Sequence, residues 1–219
     1  MSPKRVLSIA LLAVLLFAWT DAAQARKHRG DPMNIEDGAL DEIHLQVQSI
    51  SGQVPVVIHL FSIDGTDFGT GDEGGKEKRV LAAETMEKIA PQMLADSLKA
   101  ELQQGGAFGP VTIAGADGGS VPDGALVIEG HFVSINPGSR AKRYWVGFGA
   151  GASGVGITGK VTDASGKVLA EFKHRKHSGI GIGGGDYVKF LSDDTQDVGK
   201  DVAFFLTTWA RGGDLTNDR

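Results

Sequence analysis

"GVGITGKVTDASGKVLAEFKH", residues 154–174, decides how the chain is read. Two glycine patterns run into this stretch. Gly149, Gly151 and Gly154 match G-x-G-x-x-G, while Gly154, Gly159 and Lys160 match most of G-x-x-x-x-G-K. Such patterns hold phosphate where the glycines lead into a helix, whose N-terminal N–H groups and dipole favour the negative charge. Here they lead into alternation instead. Val155, Ile157, Gly159 and Val161 interleave with Gly156, Thr158, Lys160 and Thr162, the period-two mark of a strand with one wet face. Asp163-Ala164-Ser165-Gly166 supplies a tight turn with glycine where a left-handed residue is wanted, and Lys167 to His174 returns as the partner strand. The residue after Lys160 is Val161, which has no hydroxyl for magnesium. The stretch is a hairpin, nucleotide binding is not expected, and no cofactor is implied.

Just upstream, Gly147, Gly149 and Gly151 alternate with Val146, Phe148, Ala150 and Ala152. Three readings stay open there. The segment is a loop, or a strand with one nearly bare edge that lets another backbone come close, or an association surface. If helical, Gly147 and Gly151 form a G-x-x-x-G pair suited to close helix packing. Gly179, Gly181, Gly183, Gly184 and Gly185 repeat the texture before the final helix.

Further out, Ile43, Leu45 and Val47 alternate with polar residues as a half-buried strand, and Val54 to Ile63 is a second strand; the two are expected to form an opening hairpin. "DGTDFGTGDEGGKEK" follows, too rich in glycine and acids to pack. Met86, Ile89, Ala90, Met93, Leu94, Leu98 and Leu102 then mark one apolar helix face, with Pro91 expected to kink or divide the helix and Gly105 to end it. Val111 to Ile113 is a short strand, and Ala125 to Ile135 is a stronger, central one. The last helix carries Val198, Val202, Phe205, Leu206 and Trp209 as its buried stripe, with caps at Ser192, Asp193 and Asp194 and Gly212 beyond its end. Strands cluster between two helical segments. The expected fold is α+β: a largely antiparallel sheet with helices packed on one face, preceded by a signal peptide.

The N-terminus supports that last point. Lys4 and Arg5 precede a nearly uninterrupted apolar run, Val6 to Trp19, which at 14 residues is shorter than the roughly 20 that span a bilayer. Ala23-Gln24-Ala25 offers the small residues a signal peptidase reads, so cleavage is expected between Ala25 and Arg26, with a retained anchor as the alternative. The division is then 1–25 signal peptide, 26–41 flexible lead-in, 42–213 a single α+β domain, and 214–219 a polar tail. The expected location is the periplasm or outside the cell. Cysteine is absent, which removes disulfides, thiolate metal sites and thiol nucleophiles together. Cleavage removes Lys4, Arg5 and Asp21 and takes the formal charge from −5 to −6. A mildly acidic chain argues against nucleic acid as a partner. The basic run Lys173-His174-Arg175-Lys176-His177 is a local exception, read as a solvated strand end.

"IEGHFVSINPGSRAKRYWVGFGAGASGVGITGKVTDASGKVLAEF", Ile128 to Phe172, resembles a bacterial family known as domain of unknown function 4410. The residues that carry the resemblance are Gly130 and Phe132, Pro137 to Arg143, Val146 to Gly151, and Asp163 to Lys167. The resemblance implies an exported or envelope protein, often a lipoprotein. The absence of cysteine departs from that lipoprotein subset. It brings no catalytic residues to this chain.

Candidate chemistry is sparse. His174 and His177 flank two cations and would point to opposite faces of a strand, a poor metal pair. Asp64, Asp67, Asp72 and Glu73 are oxygen donors without EF-hand spacing, and Ser153 lacks a nucleophile elbow. No catalytic or metal-binding residue is therefore assigned. The most unusual surface chemistry is Arg140, Lys142, Arg143, Tyr144, Trp145 and Phe148, cations beside aromatics that suit an interface anchor or contact with anionic headgroups. The candidate interaction surface is Arg140, Arg143, Tyr144, Trp145, Phe148, Gly149 and Gly151, against the alternative of aromatics tucked into the core beneath solvated cations. The expected function is a non-enzymatic binding or assembly component of the envelope, contacting another envelope protein, its own copies or the membrane periphery. The alternatives are a carrier for an apolar or lipid ligand, marked by a pocket under Met86, Met93 and Phe132, and an enzyme, marked by ionisable residues converging in a cleft.

Overall fold

A computed structural model describes residues 33–69, 76–115, 120–136, 154–177 and 186–216. The elements run β1 (Met33–Glu36), β2 (Glu42–Leu45), β3 (Val56–His59), α1 (Lys76–Gly105), β4 (Val111–Ala114), β5 (Leu126–Asn136), β6 (Gly154–Asp163), β7 (Val168–Lys176) and α2 (Tyr187–Ala210). They make an α+β fold on one seven-stranded sheet of order β1-β2-β7-β6-β5-β3-β4. From β1 through β5 every neighbouring pair is antiparallel, whereas β3 runs parallel to both β5 and β4. The sheet is thus mostly, not wholly, antiparallel.

The hairpin read from the sequence is β6–β7. Its turn is closed by the Asp163 carboxylate, which accepts hydrogen bonds from the Ser165 and Lys167 amides at 2.9 and 3.1 Å, and Gly166 sits at φ +86°. Alternation along the strands sends Ile43, Ile58, Ile128, Phe132, Ile157, Val161 and Phe172 into one core. Met86, Leu94, Leu98 and Leu102 of α1 and Val198, Val202, Phe205 and Trp209 of α2 meet them there. Both helices therefore cover the same side of the sheet. Phe172, Phe205 and Trp209 form a column, Phe172 tilted against Phe205 and Phe205 stacked on Trp209, with ring centroids 5.9 and 5.6 Å apart, and the Trp209 indole N–H donates to the Gln48 carbonyl. Each such ring taken from water contributes about 1.5–3 kcal/mol, so this column is a principal tie between α2 and the sheet. The two helices approach closely at Gly199, where a Cβ would sit 2.9 Å from the Ser97 side chain of α1.

Several expectations are corrected. The strands β2 and β3 do not form a hairpin; β2 pairs with β1 and β7, and β3 pairs with β4 and β5. The expected lead-in 26–41 contains β1, with Ile35, Ala39 and Leu40 buried. At the other end Leu215 is 5% exposed and its carbonyl accepts from the Ala39 amide, so the polar tail is anchored at its start. Pro91 does not divide α1. The helix α2 begins earlier than expected, with Asp186 as its N-cap accepting from the Lys189 amide. The loop after β3 packs too: Ser62 and Asp67 bridge to His131 and Ser134 of β5, because their backbone groups continue the parallel ladder where β3 ends.

Candidate functional site

The side of the sheet away from the helices is set by the same alternation. Residues one place off the core register point there, and most are polar. The aligned positions Asn34, His44, Glu171, Lys160 and Glu129 cross β1, β2, β7, β6 and β5 as one row. Glu42, Lys173, Thr158 and His131 form the row beside it. At the β3–β4 end the same face turns apolar, where Val57, Ala114, Ala125 and Val127 cluster against Val121. Among the described residues, no helix lies on this face.

Its charges are paired across strands. Lys160 Nζ lies 2.9 Å from Glu129 Oε1, and His59 Nδ1 lies 3.6 Å from Glu129 Oε2. Lys173 Nζ lies 2.7 Å from Glu42 Oε2, and His44 Nδ1 lies 2.7 Å from the Asn34 amide oxygen, to which it donates when that nitrogen carries the proton. The hydrogen bond from Lys173 holds the Glu42 carboxyl below its ordinary range, against a small opposing effect of burial. These pairs are substantially exposed, so each contributes about 0–1 kcal/mol and sets register more than stability. Two grooves open on the face. One, of about 520 Å³, runs between His44, His131, Thr158, Lys160 and Lys173; the other, of about 600 Å³, lies beside His59, Ser62 and Asp64 and shares Glu129, His131 and Lys160 with the first.

Ionisable groups do converge here, as an enzyme would require. The Ser62 hydroxyl accepts from the Asp64 amide in its own turn. Thr158 Oγ1 sits 3.2 and 3.1 Å from the two ring nitrogens of His131, and among the described residues no carboxylate is hydrogen-bonded to that ring. Among the described residues no group of three or more histidines and carboxylates could hold a metal ion. Asp67 instead accepts from the Gly69 amide.

The sequence-derived surface, Arg140, Arg143, Tyr144, Trp145, Phe148, Gly149 and Gly151, lies outside the described residues, as do the glycines of 147–153 and 179–185. Its anchor points are described. Asn136 pairs with Gly154, and Val155 with Lys176, so the described residues that flank 137–153, and those just before 178, stand at one end of the sheet. The basic run divides by strand alternation. Lys173 reaches Glu42 on the helix-free face, while His174 and Lys176 turn inward to Asp201 of α2. The solvated strand end is therefore a paired one. The three residues expected beside an apolar carrier's pocket do not stand on one surface. Met86 and Phe132 are fully buried, and Met93 lines a groove on the outer side of the helix pair. No helix among the described residues is long and apolar enough to cross a membrane.

The architecture defines an α+β protein with a two-helix layer on one face of a mixed sheet and a polar, grooved opposite face. A model of the family described as a domain of unknown function (DUF4410) matches residues 56–181, more than half of the chain, and the chain belongs to that family. The match runs from β3 past the end of β7; β1, β2 and α2 complete the sheet and core outside it. Among solved structures, a PelC dodecamer from Paraburkholderia phytofirmans is similar at 16% identity, covering 79% of this chain and 96% of that one, with a TM-score of 0.37. A single-substitution form of that dodecamer is similar at 15% identity, covering 78% and 98%, with a TM-score of 0.36. The comparison with curated proteins yields no match.

Proposed function

We propose that the protein is exported and acts as a non-enzymatic binding or assembly component of the bacterial envelope. Its contact surface is the helix-free face of the sheet together with the segment that carries Arg140, Arg143, Tyr144, Trp145, Phe148, Gly149 and Gly151. The observation that carries this reading is that face: strands β2, β7, β6 and β5 present two contiguous grooves of mixed charge and imidazole groups, with no helix over them among the described residues. Support also comes from the segment 137–153, which is rooted at the end of the same two central strands. Its cations and aromatics are the residue types that anchor interfaces. Export is supported by the basic, apolar and small-residue succession of the first 25 positions.

The test is crosslinking and pull-down from intact cells, comparing wild type with Arg143→Ala plus Trp145→Ala. Loss of a specific partner from the double variant is expected. Recovery of the same partners at the same yield would remove the 137–153 segment from the proposed surface.

A further inference from the structure

The interior of β7 holds a charge cluster that the contact surface does not use. His174 is 10% exposed and stands between two carboxylates, with Nδ1 3.3 Å from Asp41 Oδ1 and Nε2 3.1 Å from Asp201 Oδ2. Lys176 Nζ reaches the same Asp201 oxygen at 2.8 Å. Three segments distant in sequence meet there: the β1–β2 connection, β7 and α2. We propose that Asp41, His174 and Asp201 form a protonation-controlled latch, which holds the β1–β2 connection and the C-terminal segment closed while the imidazole is charged and loosens them when it loses its proton. This inference is independent of the proposed contact surface.

Both neighbours of the ring are acceptors, and only an imidazolium has an N–H on each nitrogen to offer them. A neutral ring turns a lone pair toward one carboxylate and loses that hydrogen bond; the repulsion is worse toward the buried Asp201 than toward the half-exposed Asp41, so Asp41 is the partner released. The other charged groups facing the cluster, among the described residues, are Lys176 on Asp201 and Arg175, whose backbone amide and charge act on Asp41. The cross-strand neighbour on β6 is Ile157, which does not titrate. Burial pushes the His174 pKa down, but the hydrogen bonds and charges of Asp201 and Asp41 outweigh it, and the net direction is up.

What the latch can release is limited by apolar burial. Ile43 and Leu45 are 0 and 1% exposed and keep β2 on β7 whatever the charge state. Ala39 and Leu40 of the connection are buried as well, at 3 and 1% exposed, so what the charge state can reach in residues 37–41 is their hydrogen bonding. Asp37 has φ +52°, and the connection is tied by the Asp37 amide to the Asp41 carbonyl and by the Ala39 amide to the Leu215 carbonyl. Weakening Asp41 therefore loosens the connection and the residues around Leu215 together.

The experiment is amide hydrogen exchange by NMR on the full chain. The protection of the Ala39 amide, corrected for intrinsic exchange, is followed from about pH 6 to about pH 9, upward from just below the ordinary histidine value. Wild type should lose protection by at least about tenfold, the worth of one hydrogen bond to a charged group. Asp41→Asn should hold the same protection across the range, because its amide N–H can donate to a neutral Nδ1 while Nε2–H still donates to Asp201. A flat wild-type profile overturns the latch, and so does an Asp41→Asn profile that falls like wild type. A His174 ring found already neutral at about pH 6 in the NMR titration overturns it as well.

Discussion

Gly159→Ala should destabilise the protein through a single aromatic ring. Gly159 faces the core directly across from Phe172, and the Phe172 ring lies over its bare Cα. A Cβ at Gly159 would stand 2.8 Å from Phe172 Cε2 and 3.0 Å from Cε1, and closer still to Cζ. The ring cannot simply swing away, because it is 1% exposed and leads the column through Phe205 to Trp209. Overpacking of a filled core costs about 1–3 kcal/mol. Alanine returns about 0.4–1 kcal/mol by restricting the unfolded chain. The net loss expected is about 1–2 kcal/mol, or about 2–8 °C in Tm for a domain of this size. Urea unfolding of wild type, Gly159→Ala, Phe172→Leu and the double variant measures it. Without the ring the added methyl should cost nothing, so the double-mutant cycle should show a coupling of about 1 kcal/mol or more. Additive effects, or a Gly159→Ala variant as stable as wild type, would refute the packing argument.

Other substitutions separate core from surface. Trp209→Ala should cost about 3–5 kcal/mol, since it removes a fully buried indole, its stack on Phe205 and a hydrogen bond; equilibrium denaturation checks it. Glu129→Gln should change stability by less than about 1 kcal/mol, because its partners Lys160 and His59 are exposed enough for water to replace it. Stability should also depend on pH in a defined sense. The raised His174 pKa contributes stability that is full below the ordinary value of 6.5 and is lost as pH rises through the folded-state value. The lowered Asp41 and Asp201 values contribute stability that is present above the ordinary 3.8 and is lost as pH falls through theirs. Urea midpoints should therefore be highest between the two limits, and His174→Gln should remove the alkaline decline. Export predicts a mature N-terminus at Arg26, which sequencing of the protein from cells would check.

The parts of the fold that were legible in the sequence are those fixed locally. The β6–β7 hairpin follows from period-two alternation and the Asp163–Gly166 turn, and both helix stripes follow from three- and four-residue spacing. The pairing of β3 was not legible. A short apolar strand fits a parallel neighbour as readily as an antiparallel one, and its partners Val111 and Leu126 lie more than fifty residues away. Nor was the strand in 33–36 legible, because one buried residue, Ile35, gives no periodicity. At the candidate site, the outward side of Lys160 was readable, since alternation sends it opposite Val161. The row it joins was not, because Glu129 and Glu171 enter only through register. His174 illustrates the same limit. Within KHRKH it reads as one more surface cation, and its two carboxylates come from Asp41 and Asp201 on other elements.

The central claim is that the helix-free face, and not the helix layer, meets a partner in the envelope. Photo-crosslinking residues placed at His131 on that face and at Gln92 on the exposed side of α1 test it in intact cells. The account predicts a discrete crosslinked species from position 131 and none from position 92. A crosslink from position 92 alone, or none from either face in cells that export the protein, would contradict it.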